Sequence, residues 1–155
     1  MIKNKGLRFA AGAAVLLFIM VAMVWIKTYA YGHGQFVDGE KAFKANDLKT
    51  AVTDYETAIH MYTPFGGYVD ASAARLWEIG QGYENVGDYD WALIAYRSLR
   101  SSFYAVRSFY TPGQGWIERT EKQIDAVLEK QKAQNMNTKG QAAPAKTEAA
   151  APASK

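Results

Sequence analysis

The chain has 155 residues, 18 lysines and arginines against 15 aspartates and glutamates, and a formal net charge of +3, which leaves room for one modest domain with accessories and excludes two large ones. It contains no cysteine, so disulfides, thiolate metal sites, covalent c-type haem attachment and a lipidated N-terminal cysteine are all excluded. Several lysines fall in the terminal segments, where they need form no patch, so nucleic acid is not an expected partner.

A short basic N-terminus, residues 1–8, precedes the charge-free run FAAGAAVLLFIMVAMVWI from Phe9 to Ile26. As a helix this run measures about 27 Å, close to the hydrocarbon thickness of a bilayer. The pattern predicts a transmembrane anchor over residues 9–28, contacting the membrane through this helix. Lys3, Lys5 and Arg8 stand before the run and only Lys27 close behind it. That bias keeps the N-terminus cytoplasmic and sends the rest to the periplasmic or extracytoplasmic side of a bacterial-type inner membrane. Trp25, Tyr29 and Tyr31 at the far end suit the headgroup level and ordinary packing equally well. A cleavable signal peptide ending near Thr28-Tyr29-Ala30 is the competing reading, but secretory apolar regions are usually shorter, about 7–15 residues. Gly32-x-Gly34 has no preceding strand and no third glycine, so it reads as a hinge between membrane and domain rather than a nucleotide loop.

Residues 29–132 read as an all-α domain of about two helix pairs and a capping helix. The first candidate helix, Gln35 to Ala45, leads through Asn46-Asp47 into a helix striped by Leu48, Ala51, Tyr55, Ala58 and Tyr62, which ends at Thr63-Pro64. A second pair follows: Asp70 to Val86, then Gly87-Asp88, then a stripe of Tyr89, Ala92, Tyr96, Leu99, Phe103, Val106 and Tyr110, with Pro112 as the stop. Spacings of three and four mark amphipathic helices. Asn or Gly tolerates the left-handed backbone that closes one helix, and Asp caps the next. The repeated Tyr-Thr-Pro endings suggest internal duplication.

Leu76-x-x-Ile79-Gly80-x-x-Tyr83 followed by Ala92-x-x-x-Tyr96 resembles the tetratricopeptide-repeat pattern. The resemblance implies antiparallel helix pairs in which Gly80 and Ala92 face each other at the crossing, where larger side chains would push the helices apart. The first pair fits through Gly39, Asn46-Asp47, Ala51, Tyr55 and Ala58, but Gln35, Asp38 and Ala42 stand where large apolar residues are expected. Phe36, Val37 and Phe43 supply apolar surface in a shifted register. The two alanines, Ala51 and Ala92, lie about 41 residues apart against a usual repeat of about 34, with the excess in the Thr63 to Val69 linker. A last amphipathic helix, with Trp116, Ile117, Thr120, Ile124, Val127 and Leu128 inward, would cap the open face. Residues 133–155, ending AAPAKTEAAAPASK, have no apolar period and are expected to be a disordered tail.

Nothing in the sequence points to chemistry. His33 and His60 lack companions at metal-ligand spacing, and no nucleophile elbow is present. The carboxylates Asp38 and Glu40, like Glu118 and Glu121, are interleaved with Lys41, Lys44, Arg119 and Lys122, as on a solvated face. No catalytic residue, cofactor or metal is expected. An unidentified protein partner is. The resemblance implies an inner groove lined by Phe36, Glu40, Phe43, Trp77, Gln81, Glu84 and Asn85, with a core role as the alternative for Trp77 and the favoured one for Phe36 and Phe43, and the family's basic clamp for a peptide carboxylate is not apparent. Trp77 lies one place off the Leu76 stripe and is the expected exposed aromatic anchor. A second candidate surface is Arg97, Arg100, Tyr104 and Arg107, grouped on one side of the long helix beside its stripe. The expected role is an interaction module, a scaffold or assembly factor of the cell envelope. A small structural subunit of a larger membrane complex is the alternative, and an exported envelope enzyme the third.

Overall fold

The computed structural model describes residues 3–109 and 111–141, with side chains over 9–138. Among them lie five α-helices and no strand: α1 (Lys3–Lys44), α2 (Leu48–His60), α3 (Gly67–Asn85), α4 (Tyr89–Ala105) and α5 (Gln114–Gln141).

The two tight helix junctions obey the local chemistry. Asn46 and Gly87 adopt φ of 60° and 79°, and the N–H groups of Asp47 and Asp88 reach back to the carbonyls of Ala42 (2.9 Å) and Tyr83 (3.0 Å). This left-handed closure satisfies the last carbonyls of the outgoing helix. The same aspartates then cap the incoming helices, each carboxylate accepting from a backbone N–H, Thr50 or Trp91, at 3.2 Å. Such caps are worth about 1 kcal/mol each.

Contacts fix the helix directions. Gly39 meets Tyr55 near the α1–α2 loop while Gly32 meets Met61 at the other end, so the pair is antiparallel. Gly80 against Tyr96 and Tyr83 stacked on Trp91 at 5.9 Å orient α3 and α4 the same way. Tyr104 with Glu121 and Asp90 with Gln131 do so for α4 and α5. The odd helices run parallel to one another: Tyr29 packs edge-on against Tyr68, Arg75 binds Glu40, and Trp77 meets Trp116. Lys49 over Trp91 and Ser98 to Glu56 make α2 and α4 parallel. Two layers result, α1, α3 and α5 in one and α2 and α4 in the other, with Tyr55, Ile59, Leu76, Tyr96, Leu99, Phe103 and Val127 fully buried between them.

Glycine opens both pair crossings, and the nearest neighbour of each is a tyrosine ring. A Cβ at Gly80 would lie 2.5 Å from the Tyr96 ring, and one at Gly39 would lie 2.8 Å from the Tyr55 ring. Each ring packs close against a bare backbone, and each tyrosine hydroxyl donates to a glutamate on the partnering helix, Tyr55 to Glu40 at 2.8 Å and Tyr96 to Glu84 at 3.0 Å. Ala51 and Ala92 are fully buried within the same crossings.

Several boundaries differ from expectation. α1 is one uninterrupted helix, so the glycines at 32 and 34 form no break. Gly32 is buried where a Cβ would meet the Tyr68 hydroxyl at 2.6 Å, which makes it a close-packing point. α4 stops at Ala105, well before Pro112. Thr63-Pro64 follows α2 closely, whereas Thr111-Pro112 stands further beyond the end of α4. Tyr110 lies outside the described residues. α5 continues to Gln141, so residues 133–141 of the expected tail are helical, and the Gln134 amide donates to the Gly87 carbonyl at 3.4 Å. The remainder of that tail, 142–155, lies outside the described residues.

The first half of α1 is long and apolar enough to cross a membrane. From Phe9 to Ile26 every residue except Ala22 is exposed, Tyr29 is the first aromatic residue of the helix to pack on the domain, against Tyr68, and Gly32 is the first described residue of α1 to be buried.

Candidate protein-binding surface

The groove residues implied by the repeat resemblance divide into those the fold consumes and those it leaves open. Trp77, the expected exposed anchor, is only 8% exposed. Its ring lies 5.1 Å from Tyr96 and 6.4 Å from Trp116, beneath the Arg119 guanidinium at 4.1 Å. It is a packing residue, because Trp116 and Arg119 of α5, which pairs antiparallel with α4, cover it. Its indole N–H is buried without a hydrogen-bond partner, a cost tolerated where the ring fills the junction of three helices.

Glu84 is also engaged by α5. Its carboxylate accepts from the Tyr96 hydroxyl (3.0 Å), the Gln123 amide (2.7 Å) and the Lys130 ammonium (2.7 Å). Burial works against its ionisation, but these three donors outweigh burial and hold its pKa below the usual glutamate value. Burial first, and then the bond to Glu84, raises the Tyr96 phenol above its ordinary range. Because the folded pKa of Glu84 is depressed, its contribution to stability is present above the ordinary glutamate pKa, about 4.3, and disappears as pH falls through that value and the folded one. Thermal melts taken from about pH 6 down to about pH 3 are therefore expected to show an acid loss of stability that is smaller in Glu84→Gln. An equal acid loss in both proteins would remove Glu84 from this account.

Gln81 and Asn85 remain exposed on α3. Beside them a shallow depression is lined by Trp77, Gly115, Glu118, Arg119, Lys122 and Gln123. On the other flank of α3, Arg75 bridges the odd helices: it donates to Glu40 at 2.6 and 3.1 Å and to Glu78 at 2.8 Å, and lies 4.9 Å over the Phe43 ring. Sequence reasoning missed Arg75. The i,i+3 pairing with Glu78 was visible, whereas Glu40 is 35 positions away. Phe36 and Phe43 are half-buried against the core, so their apolar surface does belong to packing.

The second candidate surface is brought together only in part. Tyr104 is exposed and donates to Glu121 at 2.8 Å, while Arg107, beyond the end of α4, lays its guanidinium 5.3 Å over the Tyr104 ring. Arg97 is exposed higher on α4 and Arg100 is half-buried. Among the described residues no group of three or more His, Asp or Glu side chains is placed to hold a metal ion. His33 is stacked on Tyr29 at 6.2 Å, and His60 is exposed.

Compared with known proteins, the chain matches no family model, and neither the curated proteins nor the solved structures contain a significant match.

Proposed function

We propose that this chain is a membrane-anchored, tetratricopeptide-repeat-like interaction module that holds a protein partner at the extracytoplasmic face of a bacterial-type inner membrane. The observation that carries the reading is that a single unbroken helix, α1, supplies both the exposed apolar span and the first member of the helix-pair stack. Membrane attachment and partner surface are then mechanically coupled, with about 54 Å of helix from Phe9 to Lys44 and no joint between them. The open part of the α1–α3–α5 layer, with Gln81, Asn85, Glu118, Arg119 and Lys122, is the surface offered, and its mixed charge suits a polar segment of a partner.

Photocrosslinking side chains placed at Gln81 and Lys122 are expected to capture a common partner in intact membranes, whereas one at Thr53 on the α2 side is not. Adducts at none of these positions, nor at a further label on Arg97, would count decisively against an interaction module. Capture through Arg97 alone would move the surface to the arginines of α4.

A structural subunit is the second reading, favoured by the small residues Ala10 to Ala14, which allow close approach of another membrane helix. Exchanging residues 9–26 for an unrelated apolar span separates the two, since an anchor tolerates the exchange and a packed subunit loses its complex.

A further inference from the structure

The antiparallel helices place two connections, residues 61–66 and the described residues 106–109 and 111–113, at the end of the domain where α1 leaves its apolar run. Tyr62, Thr63 and Pro64 line one cleft with Met20, Val21, Val24, Trp25 and Thr28 of α1, so the first loop reaches down beside the last turns of that run. The second loop adjoins the first, since Pro112 and Gly113 share a cleft with Phe65, Gly66 and Gly67. At the tips of these loops Phe65 and Phe109 are 102% and 109% exposed, with no packing role in the domain.

Phe65 is held there at a cost. The Gly66 N–H closes a turn on the Thr63 carbonyl at 3.0 Å, with Pro64 second and Phe65 third at φ 69°. Pro then positive φ is the order of a type II turn, whose third position normally takes glycine because a bulky side chain there is strained. The loop is also braced from within: the Tyr68 hydroxyl donates to the Met61 carbonyl at 2.5 Å and lies 3.0 Å from the Thr63 hydroxyl. A strained turn in a braced loop thus points a large apolar ring out of the protein.

We infer that Phe65 and Phe109 are interfacial membrane wedges, which insert into the outer leaflet of the bilayer crossed by α1 and fix the domain against it. The inference rests on the anchor reading above. Apolar rings at this depth leave water for the headgroup and upper acyl zone, where aromatic side chains are favoured. Trp25 and Tyr29, stacked at 5.7 Å, mark the same level on α1, and Lys27 and Arg107, both exposed, supply positive charge for lipid phosphates. With three contacts rather than one, α1 cannot spin or tilt freely and the groove keeps a constant orientation above the membrane.

Because the chain has no cysteine, single substitutions Gly67→Cys, Ser108→Cys, Asn85→Cys and Phe18→Cys each give one spin-label site with both phenylalanines intact. The full chain is reconstituted into phosphatidylcholine–phosphatidylglycerol vesicles and label accessibility to oxygen and to a water-soluble nickel complex is compared. Labels at 67 and 108 are expected to show an oxygen-to-nickel ratio several-fold above that at 85, and to lose it in the Phe65→Ser/Phe109→Ser background. Labels at 67 and 108 as aqueous as that at 85, while 18 is deep in lipid, would overturn the wedges and leave the anchor standing. An aqueous label at 18 would sink the anchor reading and the wedges together. Protection of 67 and 108 in native membranes but not in vesicles would assign the phenylalanines to a protein partner and also overturn the proposal.

Discussion

Gly80→Ala and Gly82→Ala are expected to change stability in opposite directions, although they are the same substitution two positions apart on α3. At Gly80 the new Cβ would lie 2.5 Å from the Tyr96 ring. That ring is fully buried, and its hydroxyl is tied to Glu84 at 3.0 Å, so it cannot swing aside. Overpacking of this kind costs about 1–3 kcal/mol, more than the helix propensity alanine returns. At Gly82 no heavy atom lies within 4 Å of the added Cβ, and only the propensity gain remains, about 0.5–1 kcal/mol in favour of alanine. Since each kcal/mol moves the midpoint by about 4–8 °C in a domain near 100 residues, thermal melts resolve both changes. Gly39→Ala, facing Tyr55 at 2.8 Å, is expected to fall on the destabilising side with Gly80. A neutral Gly80→Ala would mean that α3 and α4 do not cross at this glycine.

Leu17→Arg with Phe18→Arg is expected to abolish stable membrane insertion without unfolding the domain. Both residues are exposed near the centre of the charge-free run. An arginine at the middle of a spanning helix costs about 2.5–3.5 kcal/mol on insertion scales, so the pair opposes insertion by on the order of 5–7 kcal/mol. The side chains from 9 to 21 take no part in the buried core, so circular dichroism and melting of the domain are expected to stay as in the parent. Carbonate extraction of membranes reads the first effect. Retention of the double variant in the membrane pellet would refute a simple spanning helix.

The helix junctions were legible because their chemistry is local. Asn46-Asp47 and Gly87-Asp88 carry in two residues both the left-handed closure of one helix and the cap of the next, and both adopt that geometry. The stripe Ile117, Thr120, Ile124 and Val127 was legible for the same kind of reason: four residues at helical spacing are buried together whatever they meet. Pro112 misled because a proline forbids a helix from passing through it but does not oblige one to reach it, and α4 ends at Ala105. Trp77 misled because a position one step off a stripe is open or closed according to which helix lies over it.

The candidate surface was less legible than the fold. Gln81 and Asn85 are exposed as expected, whereas Trp77 and Glu84 are held by Arg119, Gln123 and Lys130, residues 39 to 46 positions from Glu84 in the case of the last two. Arg75 and Glu40 meet only because α1 and α3 run side by side.

What the sequence determined unaided is therefore the all-helical character, the Asp47 and Asp88 caps, the apolar stripes and an unbroken apolar run, since each depends on backbone preference and on spacings within about two turns. The tertiary structure alone decided that α1 continues without a joint, that a tyrosine ring is the nearest neighbour of each crossing glycine, that α5 closes over Trp77, and that Phe65 and Phe109 share one end of the domain. Those outcomes depend on which surfaces distant segments press together, and close packing settles that only when all five helices are in place.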